Sequence, residues 1–139
     1  MIKFLARLPH EVIGIIQRFC YSPQPPALCE DIRSYADIRS LIVHLYESRF
    51  GVTQNARDWL TNDIARFLNN DLPTLYGYQD LYLDVFKRLY ANQKKSKEEI
   101  HKYVFYIDGL IRIKDYTNTV VGLLSPKERE QLVTFLVTL

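Results

Sequence analysis

Apolar residues recur three and four positions apart along most of this chain, and that period predicts helices almost throughout. The clearest stretch is Ala36 to Phe50, where Ile38, Leu41, Ile42, Leu45 and Tyr46 fall on one helical face. Leu28, Ile32 and Tyr35 lead into the same stripe, which predicts either one helix over Leu28 to Phe50 or two pieces meeting near Asp37. Gly51 then follows as a closing glycine, and Thr53 is placed to cap the next helix. Ala56, Trp59, Leu60, Ile64, Phe67 and Leu68 form the apolar face of that helix until Asn69, Asn70, Asp71 and Pro73 break it. Beyond Pro73 a further helix is expected to carry Leu75, Tyr78, Leu81, Tyr82, Val85, Phe86, Leu89 and Tyr90.

Two segments are apolar on more than one face, which predicts that they are central or covered by a partner. In the first, Ile2 to Leu8 and Pro9 to Tyr21 form two pieces, with Pro9 at a first helical position and Val12, Ile13, Ile15, Ile16, Phe19 and Cys20 following. The second opens at Ser96 and Glu99, a capping box, and bears Ile100, Tyr103, Val104, Phe105, Tyr106, Ile107, Leu110 and Ile111. Ser125, Pro126 and Glu128 repeat such a start for a final helix, Pro126 to Leu139. No stretch alternates as a half-buried strand does. The expected fold is an all-α, single-domain bundle of about five to six helices over residues 1–139. Flexible connections are expected at 22–27, where Pro23, Pro25 and Pro26 interrupt the helix, and at the polar run 92–97.

Composition changes this picture in one respect. A chain of 139 residues with 47% hydrophobic and 24% charged residues is of ordinary globular make-up. Its aromatic content is weighted to tyrosine, with ten Tyr against seven Phe and one Trp, and tyrosine is the side chain that can be half-buried with its hydroxyl wet. A net charge of +2 is too small to imply a nucleic-acid partner by itself, although Lys87, Arg88, Lys94, Lys95 and Lys97 form a basic run that could meet an anion. Lys3, Arg7, His10 and Glu11 interrupt the apolar N-terminal stretch, so a soluble, intracellular, cytoplasmic protein is expected, with no membrane association. Cys20 and Cys29 are correspondingly expected to be reduced thiols.

Candidate chemistry is sparse. His10, His44 and His101 share no metal-ligand spacing with one another or with the cysteines, and none of the five glycines lies in a phosphate-cradling loop, so neither metal nor cofactor is expected. One spacing stands out. Arg39, His44 and Tyr46 have the form arginine, four residues, histidine, one residue, tyrosine. This resembles the motif of the HEPN ribonucleases, with Ser40 where that family usually carries asparagine. The resemblance implies metal-independent RNA cleavage, with Arg39 neutralising the phosphate, His44 moving protons and Tyr46 as a companion. Separately, Leu8 to Phe19 is similar to the opening of an F-box, through Pro9, Glu11, Val12, Ile13, Ile16 and Phe19, which implies docking onto a ubiquitin-ligase adaptor. The helix order over Asn55 to Asp108 is also similar to the partner-binding bundle shared by the clock activator KaiA and the stress-response regulator RsbU.

The reading that uses most of the chain is a non-enzymatic helical protein–protein interaction module, an adaptor or regulator that is oligomeric or partner-bound. It holds more apolar and aromatic positions than a small bundle readily buries. Val12, Ile15, Phe19, Tyr78, Tyr82, Tyr90, Tyr103 and Tyr106 are the expected partner-binding residues.

Overall fold

Side-chain caps at Thr53, Ser96 and Ser125 mark three of the helix starts. The computed structural model describes residues 9–21, 24–102 and 113–139, and every regular element among them is helical. In chain order these are α1 (His10–Tyr21), α2 (Pro26–Phe50), α3 (Gln54–Leu68), α4 (Asp80–Lys87), α5 (Ile113–Leu123) and α6 (Pro126–Thr138), with 3-10 turns at Thr74–Tyr76 and Tyr90–Asn92. Residues 97–102 are also helical. The all-α class expected from the apolar period is therefore the class observed. Among the described residues no helix is long and apolar enough to cross a membrane.

The chain divides into two units, Met1–Glu30 and Asp31–Leu139. In the first, Pro9 lies just outside α1 and not at its first helical position: its carbonyl accepts from the N–H groups of Val12 (3.0 Å) and Ile13 (3.1 Å). Pro26 is the proline that opens a helix from within, where its missing N–H costs nothing. The proline-rich connection is accordingly shorter than 22–27, because Pro26 and Ala27 already belong to α2. Cys29 is a free cysteine. Val12 and Ile15 are exposed. The expected piece Ile2 to Leu8 and the side chains of Phe19 and Cys20 lie outside the described residues.

The second unit is built around α3. Its residues Ala56, Leu60, Ile64 and Leu68, four apart, are all buried, and the helix packs against α4, α5 and α6. Thr53 caps it as expected, accepting the Ala56 N–H at 3.2 Å. Trp59 is a correction to the expected face. It lies one position, about 100°, off this buried row and is half-exposed, meeting Phe50 edge-on at 4.5 Å. On α2 the core residues are Ile42 and Tyr46, whereas Leu41 is turned outward. α2 runs unbroken through Asp37, and Gly51 ends it at φ +76°, a conformation that favours glycine. Tyr82 and Phe86 of α4 stack at 5.2 Å, and the Tyr82 and Tyr116 hydroxyls share a buried hydrogen bond. The polar run 92–97 is exposed except at Lys95, which is half-buried, and at Asn92, which is fully buried and donates its side-chain amide to the Phe86 carbonyl at 3.0 Å.

Arg129 of α6 is the largest fully buried side chain among the described residues. Its Nε donates to the Val121 carbonyl (2.8 Å), Nη1 to the Asp31 carbonyl (2.9 Å) and carboxylate (2.8 Å), and Nη2 to the Gly122 carbonyl (3.5 Å). The guanidinium also lies 5.8 Å from the centre of the Tyr35 ring. Val121 and Gly122 are in the last turn of α5, where carbonyls lack helical partners, so this one cation joins α2, α5 and α6.

Two outcomes follow from these contacts. Arg129→Ala should lower stability by about 3 kcal/mol in urea unfolding, chiefly by leaving buried carbonyls unpaired and a cavity, because Asp31 itself remains partly in water. Glu128 is held down from 4.5 to about 2, first by hydrogen bonds from Arg88 (2.5 and 2.7 Å) and then by Ser125. A folded value below the unfolded one means stability that is complete above pH 4.5 and is lost as pH falls toward 2. Glu128→Gln should therefore remove about 1 kcal/mol of the acid-dependent loss followed by circular dichroism, after allowing for solvent screening.

Candidate functional site

Helix geometry separates the residues of the arginine–histidine motif. Five residues of α-helix turn through about 500°, leaving Arg39 and His44 about 140° apart around α2. By the same arithmetic Val43, Tyr46 and Glu47 fall within about 80° of Arg39. The structure follows this division. Arg39, Val43, Tyr46 and Glu47 line a cavity of about 90 Å³ together with Ala56, Arg57 and Leu60 of α3 and Thr117 and Asn118 of α5. His44 is exposed and is not among the lining residues.

Each polar group of the motif has a specific environment. Arg39 Nε donates to Asn118 Oδ1 at 2.6 Å. Tyr46, 2% exposed, donates its hydroxyl to Asp63 Oδ2 at 2.5 Å. Burial first, and the Asp63 carboxylate second, push the Tyr46 hydroxyl above the ordinary tyrosine range. Its proton is thus committed to Asp63 and is not available to a leaving group at neutral pH. Asp63 in turn meets Arg66 at 3.4 Å, and Arg66 meets Asp71 at 2.5 Å. Among the described residues no group of three His, Cys, Asp or Glu side chains converges on a metal-sized site.

A second feature lies between α3 and α4. Asn70 and Asp71 adopt positive φ angles of 56° and 62°, which asparagine and aspartate tolerate better than most residues, and they turn the chain away from α3. The fully buried Asn69 side chain then holds the loop at three backbone points. Its Nδ2 donates to the carbonyls of Leu72 (2.9 Å) and Gly77 (3.0 Å), and its Oδ1 accepts the Gln79 N–H (2.7 Å). Gly77, at φ +101°, occupies backbone space that a side chain would strain. At the tip of this clamped loop Leu75 and Tyr76 are 89% and 78% exposed. The apolar period predicts a helix here, but Pro73 and Gly77 confine the segment to a 3-10 turn and delay α4 to Asp80.

The expected partner-binding residues that are described have different environments. Tyr82 is fully buried and is a core residue, because the i to i+4 spacing stacks it on Phe86. Tyr78 is half-buried against Tyr82 (4.7 Å) and His101 (5.2 Å). Val12 and Ile15 are exposed on α1 in the first unit. Tyr103, Tyr106 and the side chains of Phe19 and Tyr90 lie outside the described residues. The basic run is partly matched from within: Lys97 meets Asp80 at 2.6 Å, Arg88 meets Glu128, and Lys95 donates to Asn92 Oδ1 at 2.8 Å. Arg57, Asn118, Asn69 and the exposed Leu75–Tyr76 tip carry no spacing signal. For the loop, the bracketing Pro73 and Gly77 are the only sequence hint.

Compared with protein-family models, curated proteins and solved structures, the chain matches none.

Asn69→Ala should cost about 3 kcal/mol, since it strips three backbone groups of their partner, and it should open the 72–79 segment to proteolysis. His44→Ala should leave the unfolding midpoint and any activity toward RNA unchanged, because the exposed imidazole shares no site with Arg39.

Proposed function

We propose that this chain is a non-enzymatic helical protein–protein interaction module, an adaptor or regulator, which engages a protein partner or a second copy of itself through the 72–79 loop. The observation that carries this reading is the Asn69 clamp, which fixes the backbone beneath two side chains left in water, Leu75 and Tyr76. Scattered exposed apolar residues are common on protein surfaces. Here a buried polar side chain orders the very segment that displays them, and their own burial adds nothing to the fold.

A loop ordered in advance loses little conformational freedom when it docks. Burying a leucine and a tyrosine contributes about 2 kcal/mol each before the general costs of association. Tyrosine suits such a contact because its ring supplies area while its hydroxyl can remain hydrogen-bonded. The HEPN-like reading, by comparison, draws no support from the separate environments of Arg39 and His44.

The test is the state of the chain in solution. Light scattering should give a mass above the 16.4 kDa of one chain, or a hydrophobic dye should bind. The double variant Leu75→Ser, Tyr76→Ser should diminish that association or dye signal while changing stability by less than about 0.5 kcal/mol, as expected of exposed positions. A strictly monomeric wild type that binds no dye refutes the proposal, as does a double variant that behaves like the wild type.

A further inference from the structure

The cavity between α2, α3 and α5 holds two cations and one anion that do not satisfy one another. Arg39 is anchored through Nε alone, so its two Nη groups have no acceptor among the described residues. Arg57, on the facing helix, likewise has no side-chain acceptor among the described residues, and Glu47 forms an ion pair with neither arginine. Val43, Ala56 and Leu60 give the wall an apolar side, with Tyr46 beside them, its hydroxyl directed to Asp63, and Thr117 and Asn118 complete the lining. The space, about 90 Å³, is several times what one water needs, and water meets an apolar wall poorly.

We infer that this cavity binds a small monocarboxylate with a short aliphatic body. The carboxylate takes the free edge of the Arg39 guanidinium, with Arg57 as the second donor, a geometry that the planar arginine fork suits and a lysine would not. Asn118 is a positioning residue: by accepting from Nε it fixes the plane of the fork and leaves the edge between the two Nη groups unengaged. The aliphatic body replaces water against Val43, Ala56 and Leu60. Charge decides between classes of anion. Two arginines against one glutamate leave a lining charge of +1, which a monocarboxylate neutralises, whereas a phosphate dianion overshoots it and is repelled by Glu47. The inference is independent of the 72–79 loop, none of whose residues lines the cavity.

The experiment is isothermal titration calorimetry of the full chain with 4-methylpentanoate, its neutral isostere 4-methylpentanamide, and inorganic phosphate. The acid should bind saturably, and the amide at least about tenfold more weakly, since it lacks the charge-assisted hydrogen bonds. Phosphate should bind more weakly than the acid. Arg39→Gln and Arg57→Gln should each weaken the acid about tenfold while leaving the amide unchanged. Arg57 is exposed, so its variant keeps the test decisive even if circular dichroism shows that the Arg39 variant has lost its fold. Equal binding of acid and amide, tighter binding of phosphate, unaltered affinity in Arg57→Gln, or no saturable heat from the acid would each overturn the inference.

Discussion

The guanidinium of Arg129 is almost wholly removed from water, and the arrangement of the second unit depends on how that charge is met. An isolated buried cation would cost several kcal/mol, which the fold avoids by giving it four hydrogen bonds and an aromatic neighbour. Three of those bonds go to backbone carbonyls, which fix position more strictly than a mobile side-chain partner does. The α5 carbonyls that a helix end leaves unpaired are the ones it takes, so one residue solves two problems of burial at once. Apolar contacts along α3 supply the bulk of the packing, but they tolerate sliding. The Arg129 bonds do not, and they set the axial register of α6 against α5 and α2.

That register also shapes the cavity. Asn118 and Thr117 face Arg39 because α5 is fixed along its length, and the Tyr46–Asp63 bond holds α2 to α3 on the other side. The result is a half-polar recess in which Arg39 is held by Asn118 and Tyr46 by Asp63, while Arg57 and Glu47 enter no ion pair among the described residues. An arginine tied through Nε alone is an unusual economy in a structural role, where guanidinium groups tend to use several donors as Arg129 does. The contrast between the two arginines within one unit is what marks Arg39 as a residue with capacity to spare.

Much of the fold was readable from residue spacing. The helix starts at Thr53, Ser96 and Ser125 were marked by side chains that satisfy orphan N–H groups, and each cap forms, because capping is local chemistry that tertiary packing seldom overrides. The faces of α2 and α3 were only partly readable: Leu41 and Trp59 share the apolar period but lie outside the buried row, since periodicity cannot say how wide a stripe the neighbours cover. The break at Asn69 to Pro73 is legible, but Leu75 and Tyr78 keep helical spacing and draw the expected start of α4 back toward Pro73, whereas the Asn69 side chain that shapes the loop bonds to backbone up to ten residues away. The cavity was half visible. Arg39 and Tyr46 carry the resemblance to a nuclease motif, yet their hydrogen-bond partners, Asn118 and Asp63, are 79 and 17 residues distant and carry no shared pattern.

The carboxylate of Glu128 serves two masters. It closes the capping box at the start of α6, accepting the Ser125 N–H at 2.8 Å, and it receives the Arg88 guanidinium from the end of α4. Arg88 also donates to the Leu123 carbonyl at 3.0 Å, just before α6 begins. Fraying at the first turn of α6 therefore withdraws the acceptor that holds the end of α4, and loosening of α4 exposes the α5–α6 corner. Neither element can melt at its boundary as a private event, and the end of α4 and the start of α6 open together.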